Sequence, residues 1–384
     1  MIIATAGHVD HGKTKLIEAI TGVNSDRLPE EKNRGMSIDL GFAYHDLGNG
    51  VILNFIDVPG HERFINNLLS GFSNVDLGLL VISADDGPMP QTEEHLSILQ
   101  LLQVKNCIIV LTKIDKVNQK RLDNVCCLIK KMMHKTIFSD AEIFHISNKT
   151  SQGIDNLVSH LKIIALNYHH KEVKGNFRLS VDRRFLVKGA GIVITGTVVS
   201  GEVSVGEELI HSKSGESLKI RAIHSQSKKS KNGIQGHRCS LNITGQKIAI
   251  DKISRGDWIL SKNVFFVTNR LDAVLSILKN EKKIFKHWTA IHLYLGSGNV
   301  TGRIAILGSF SINPGEKKIV QLVLDKPVHA VFDDKFVIRD ISSSRTIGGG
   351  YILDPFAKKN NNTNFRRFRS ERLKLISPNS SKIV

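Results

Sequence analysis

The stretch Gly7-His8-Val9-Asp10-His11-Gly12-Lys13-Thr14 sets a glycine, four intervening residues, and then Gly-Lys-Thr. That spacing suits a loop wrapped around phosphate. The glycines let successive backbone N–H groups turn inward, and a following helix adds its dipole to the anion site. Lys13 would bridge the β- and γ-phosphates, and the Thr14 hydroxyl would ligate Mg²⁺. Asp57-Val58-Pro59-Gly60 ends an apolar run, placing a carboxylate near the metal and a glycine where backbone can approach a γ-phosphate. Thr112-Lys113-Ile114-Asp115 ends another. The Asp115 carboxylate can accept two hydrogen bonds from the N1–H and N2–H₂ edge of guanine, which adenine lacks, so GTP is favoured over ATP. Ser147 and Asn148 follow a further run and would reach the base through a loop. Asp57 or Asp115 alone could equally cap an ordinary turn; four such elements in order at strand ends point to a nucleotide. His61 follows Gly60 directly, where an imidazole can orient an attacking water, although a histidine by itself reads as a surface or core residue. His8 and His11 fall inside the loop and have no chemical role assigned.

Positioning these groups requires a sheet. Apolar runs at 1–6, 51–57, 77–83, 106–112 and 142–146 read as strands, with helical stretches at 13–20, 62–71, 92–102, 119–135 and 154–166. Alternation of this kind implies crossover units and a mostly parallel α/β sheet covered on both faces. After a polar linker at 167–175 the texture becomes β-type with frequent glycine, and two sets of short strands imply two antiparallel β-barrels. The expected domains are a GTP-binding domain at 1–170, a barrel at 175–262, a barrel at 266–357 and a basic, disordered tail at 358–384.

The 384 residues carry a formal net charge of +17. Residues 1–170 hold −3, residues 171–357 hold +13 and the last 27 hold +7, so the basic remainder suggests a polyanionic partner. A composition 41% hydrophobic and 23% charged excludes disorder throughout. Four cysteines in no framework or ligand spacing fit a reducing compartment. The chain shows no run of about 18 apolar residues for a membrane span and no signal peptide. A cytoplasmic location, no membrane partner and a monomer are expected.

With these residues placed, the chain resembles translational GTPases of the elongation factor Tu class, and within it the selenocysteine-specific elongation factors. The class rests on the loop at 7–14 and on Asp57-Val58-Pro59-Gly60-His61. The narrower resemblance rests on Arg27-Leu28-Pro29-Glu30-Glu31-Lys32, on residues 34–41, on Asp182-Arg183 within 177–197, on Lys188-Gly189-Ala190-Gly191, on Arg255-Gly256-Asp257-Trp258 and on Gly348-Gly349-Gly350 before Asp354-Pro355. It implies a GTP/GDP- and Mg²⁺-dependent, ribosome-stimulated GTPase that carries selenocysteinyl-tRNA to the ribosome. Ser37 matches the switch hydroxyl on Mg²⁺, joining Thr14 and Asp57. His61 matches the catalytic histidine, with Val9 and Met36 as its apolar gate, and Asp10 a monovalent-cation position. Asp182, Arg183 and Arg238 match the aminoacyl pocket, where a selenol ionised at neutral pH calls for fixed cationic donors. Both arginines could instead be surface charges of a basic barrel.

Several positions depart from the family. Lys15 stands where Thr is usual, Thr112 replaces Asn, Asn148 replaces Ala and Ser151 replaces Gly. The resemblance stops near residue 357, so the winged-helix region of bacterial members is expected to be lacking, which puts recognition of a messenger-RNA hairpin in doubt. Phe365-Arg366-Arg367-Phe368-Arg369 reads either as a basic RNA arm or as a solvated tail. Two alternatives stay open: a general elongation or initiation factor, and a truncated GTP-binding regulatory or interaction protein.

Overall fold

The structure, a computed structural model, describes residues 1–34, 36–48, 50–72, 74–168, 173, 175–245, 249–359 and 369–373. It divides into two compact units, Met1–Glu172 and Val173–Val384.

The first unit is a six-stranded sheet in the order β2-β3-β1-β4-β5-β6, with β1 Ile2–Ala6, β2 Gly41–Asp46, β3 Ile52–Asp57, β4 Leu77–Ser83, β5 Asn106–Thr112 and β6 Ile143–His145. The helices are α1 Lys13–Thr21, α2 Pro29–Arg34, α3 Ile65–Phe72, α4 Pro90–Leu101, α5 Gln119–Met133 and α6 Ile154–Asn167. All strand pairs are parallel except β2–β3. The apolar runs are strands because both faces are covered: Ile3, Leu79, Val81 and Val110 pack beneath Leu16, Ile17, Leu157 and Leu161, all nearly inaccessible. Two elements were not legible in the sequence. β2 is a half-exposed edge strand with one clearly apolar inward residue, Ala43, and α2 is too short to show a helical period. Every strand that ends beside the phosphate loop delivers its functional residue at its carboxyl end, the general location of ligands in parallel sheets.

The second unit holds two closed antiparallel barrels. The first runs Glu208–His211, Trp258–Leu260, Arg178–Val187, Gly191–Ser200, Arg238–Thr244 and Ser217–Ser225, which pairs back to Glu208–His211. The second runs Thr268–Ile277, Lys317–Val328, Gly298–Ile306, Thr289–Leu295, Lys335–Asp340 and Thr346–Asp354. Its sixth strand, Thr346–Asp354, is hard to read from sequence because glycine is depleted in strands. Here the glycines are required. A Cβ at Gly350 would lie 1.7 Å from the Val274 carbonyl oxygen, and one at Gly348 would lie 2.3 Å from that of Ser276.

One buried arginine ties the barrels together. Arg178, 5% exposed, donates from Nη1 and Nη2 to both carboxylate oxygens of Asp334 (3.1 and 2.6 Å) and from Nε to His329 Nε2 (3.0 Å). Its guanidinium also lies 4.6 Å from the Trp258 ring centroid. The expectation of a structureless tail fails for residues 369–373, which form a helical turn. Arg369 pairs with Asp272 and Asp354, and Leu373 packs against Val274, Leu307 and Tyr351. Residues 365–368 of the aromatic-basic segment lie outside the described residues.

Candidate functional site

The loop between β1 and α1 is held in shape by backbone that only particular residues tolerate. Gly7 (φ 129) packs so closely that a Cβ would meet the Val81 carbonyl oxygen at 2.1 Å, and Asp10 and Gly12 sit at φ 62 and 88. Two residues that sequence reading missed brace it from α4: His95 Nδ1 accepts the Gly7 N–H at 2.8 Å and Gln91 Oε1 accepts that of Val9 at 3.4 Å. Only a helical position, without a motif, marks them in the sequence. Inside the loop, Lys13 is buried and its Nζ donates to the carbonyls of Gly7 (3.1 Å) and His8 (2.7 Å). Burial pulls its pKa down to about 8, against the attraction of Asp57 and Asp10. His8 and His11 stack obliquely at 5.2 Å between ring centroids. His11 is fully buried, and burial, then His8 and Lys13, bring its pKa down to about 4, so it is neutral at pH 7.

Oxygen atoms converge on the hydroxyl of Thr14, the second residue of α1. Thr14 Oγ1 donates to Asp57 Oδ2 at 2.7 Å and lies 3.0 Å from Ser37 Oγ. The three residues expected to hold a metal are thus assembled in one place, although 43 positions separate Thr14 from Asp57. Ser25 also donates to Asp57 Oδ2 (2.6 Å) and Ser37 donates to Asp26 Oδ1 (2.8 Å); neither Ser25 nor Asp26 was singled out from sequence. Hydroxyl and carboxylate oxygens are the donor set that suits Mg²⁺. A cavity of about 370 Å³ opens here, lined by Val9, Asp10, Lys13, Met36, Ser37 and Gly60. Gly60 rests against the loop so tightly that a Cβ would meet Lys13 Nζ at 2.4 Å and Val9 N at 2.6 Å. His61 follows it, half-buried, its Nδ1 accepting the Arg63 N–H at 3.3 Å, which leaves Nε2 as the atom able to reach a water.

One carboxylate gathers backbone N–H groups from both sides of the segment that leads to Ser37. Glu31, 3% exposed, accepts the N–H groups of Arg27, Leu28, Ile38 and Asp39 at 2.8–3.0 Å. Burial alone would raise its pKa; the four N–H donors outweigh it and hold the carboxyl below the usual glutamate range. The opposite end of the site is built by β5 and the loop after β6. Ser147 Oγ donates to Asp115 Oδ1 at 2.6 Å, and this bond, chiefly, lowers the Asp115 pKa. Lys113 is in the left-handed region (φ 56) with its Nζ 3.4 Å from Asp85. The departures found in the sequence fit together here. Thr112 Oγ1 donates to the His11 carbonyl at 2.7 Å and Asn148 Nδ2 to that of Gly12 at 3.3 Å, so both side chains end on the phosphate loop. Asn148 Oδ1 is buried without a protein partner among the described residues. Ser151 adopts φ 62, the conformation a glycine would supply, and Lys15 pairs with Glu18 on the helix surface.

In the first barrel, Arg238 Nε and Nη2 donate to Asp182 Oδ2 and Oδ1, both at 2.9 Å, and Nη2 also reaches Thr195 Oγ1 at 2.9 Å. Arg238 is only 15% exposed, so the reading of it as a solvated surface charge does not hold. Arg183 lies opposite Thr195 in strand register, next to a bulge at 181–183. Asp182, Arg238 and Thr195 therefore form one hydrogen-bonded cluster, with Arg183 next to it in strand register.

The phosphate loop, the strand-end aspartates and the two barrels define a P-loop GTP-binding domain followed by paired barrels. Residues 1–166 match the elongation factor Tu GTP binding domain, and residues 272–359 match the β-barrel domain of the selenocysteine-specific elongation factor. The chain is 41% identical to the selenocysteine-specific elongation factor of Escherichia coli (strain K12) over 353 residues, 92% of this chain and 55% of that one. It is 30% identical to the factor of the same name from Methanocaldococcus jannaschii, over 82% of this chain and 68% of the other. A crystal structure of a bacterial selenocysteine-specific elongation factor superposes with a TM-score of 0.86 at 32% identity, covering 98% of this chain and 61% of that one. The chain belongs to the family of selenocysteine-specific elongation factors. It spans little more than half the length of the E. coli relative. Among the described residues, no helix is long and apolar enough to cross a membrane.

Proposed function

We propose that this chain binds GTP, hydrolyses it when stimulated by the ribosome, and in the GTP state carries selenocysteinyl-tRNA. The observation that carries this reading is the convergence of Thr14, Ser37 and Asp57 beside Lys13, because it couples the first switch to the phosphate cradle through one cluster of oxygens. Thr14, Ser37 and Asp57 would hold Mg²⁺, which when bound neutralises phosphate charge. Lys13 exchanges its two carbonyl partners for phosphate oxygens. Gly60 offers its N–H where a γ-phosphate would lie, and His61 orients the attacking water between the apolar flanks Val9 and Met36. Asp115 and Ser147 receive the guanine edge. When the γ-phosphate leaves, the contacts of Ser37 and Gly60 are lost and the switches relax.

Two links of this reading are tested by substitution. Asn148→Ala removes a neutral hydrogen bond to the Gly12 carbonyl, worth about 1 kcal/mol. The dissociation rate of a fluorescent GDP is expected to rise about fivefold; an unchanged rate would show that the link is idle. In the barrel, Asp182 fixes Arg238 in a two-pronged grip, so the pocket presents an oriented rather than a mobile cation. Arg238→Ala is expected to abolish the preference for selenocysteinyl- over seryl-tRNA. The assay is protection of selenocysteinyl-, seryl- and cysteinyl-tRNA from deacylation, with GTP and with GDP. Equal protection of all three by the parent chain would favour a general factor, and no protection of any would favour a GTP-binding module without tRNA delivery.

A further inference from the structure

The second barrel carries a feature that the proposed function does not use. The short strand Phe285–Lys286 pairs with Ser311–Ile312, anchored by buried Phe285 and Ile312, and this brings residues 282–288 alongside residues 309–312. Three aromatic rings meet there. The His287 and Trp288 rings stack at 6.2 Å and 29°, and Phe310 meets His287 edge-on at 5.9 Å and 71°. Two of them face solvent, Trp288 at 45% and Phe310 at 73% exposure. Scattered exposed apolar residues are ordinary, but the backbone of Trp288 is not. It sits at φ 68, a region that a bulky side chain rarely adopts. Its N–H donates to the Ile304 carbonyl at 2.7 Å and its carbonyl accepts from Arg303 Nη1 at 3.2 Å, so the unusual conformation is clamped on both sides.

Charge completes the patch. Lys282, Lys283 and Lys286 are exposed on the same segment, whose acidic residue, Glu281, is 9% exposed and paired with Arg345. Past the facing strand, Glu316 accepts from Asn313 and pairs with Lys318 at 3.8 Å, so that pair is neutral, and Lys318 also lies 3.3 Å from Ser309 Oγ. Exposed rings beside the exposed Lys282, Lys283 and Lys286 are poorly suited to a protein partner, whose interfaces are depleted in lysine. They suit bases that are free to stack, with phosphates that lysines can meet. We propose that this aromatic ledge binds unpaired nucleotides of an RNA strand. The bases stack on Trp288 and Phe310 while Lys282, Lys283 and Lys286 contact the backbone. A duplex, whose base faces are covered, is bound more weakly.

The test uses the full chain, a labelled unstructured RNA of ~12 nucleotides and a blunt RNA duplex of the same length. Of the two tryptophans, Trp258 is 5% exposed and shielded from contact quenching, so a loss of emission on binding reports chiefly on Trp288. The single strand should quench that emission and bind at least about tenfold more tightly than the duplex. Trp288→Gly, in which the new residue accepts a positive φ, and Phe310→Ala should each weaken single-strand binding about tenfold. Charge reversal of Lys282 and Lys283 to Glu should flatten its salt dependence. Variants that bind like the parent, a duplex bound as tightly, or unchanged emission would overturn the proposal. So would self-association that is lost in Trp288→Gly, which would give the patch to a second copy of the chain. The oligonucleotide bears no amino acid, so failure here leaves the aminoacyl reading standing, and failure of that reading leaves this one standing.

Discussion

His61→Ala is expected to slow GTP hydrolysis by about 10²–10⁴-fold, the range for losing a positioned acid–base or orienting group. Single-turnover measurement with ribosomes would give the rate, and nucleotide titration would give affinity, which should stay within about twofold of the parent. The split follows from geometry. His61 contributes no cradle contact; its Nδ1 is committed to the Arg63 N–H, and its ring is half-buried next to Phe64 at 6.2 Å between centroids. Gly60, its neighbour, touches Lys13 and Val9, so the imidazole is carried to the edge of the phosphate site by backbone that is already fixed. Loss of nucleotide binding in the variant would instead make His61 a structural residue.

Lys13→Ala should act on the opposite quantity, reducing GTP and GDP affinity by about 10²–10⁴-fold, as expected for two charge-assisted hydrogen bonds at about 1.5–3 kcal/mol each. The carbonyls of Gly7 and His8 would also lose their donor, so the loop itself loosens. The same lysine gives a pH signature. Its pKa in the free protein is about 8, lowered by burial. Phosphate raises it again, because an anion favours the charged form. Binding therefore takes up a proton as pH rises through about 8, and affinity should fall by about twofold from pH 7 to 8 and by up to about tenfold per pH unit above it. A flat affinity to pH 10 would show that Lys13 remains charged in the free protein.

How much of this was legible in sequence depends on whether a residue works through its own type and spacing. The glycines and lysine of the phosphate loop, and the aspartates at strand ends, read directly because their chemistry is local. Ser25, Asp26, Gln91 and His95 did not. Each acts through a contact to a residue distant in the chain, from 11 positions for Asp26 and Ser37 to 88 for His95 and Gly7, and no motif records such a contact. Thr112 and Asn148 looked like separate departures, and only the fold brings both to adjacent carbonyls of one loop. The sixth strand of the second barrel was hidden because its glycines answer to neighbouring backbone, not to strand preference.

The Glu31 carboxylate closes a circuit between residues 27–28 and 38–39, beside the bonds that Ser37 makes to Asp26 and Asn67 makes to the Ile38 carbonyl. The four N–H groups share two oxygens, and displacing the carboxylate releases all of them in one event. Ser37 keeps its own bonds to Thr14 and Asp26 beside this circuit. Because the carboxyl titrates below the usual range, the circuit stays closed at neutral pH and opens as the medium is acidified through that lowered pKa. Acidification and removal of this one side chain should therefore have the same local effect, release of the same four N–H groups.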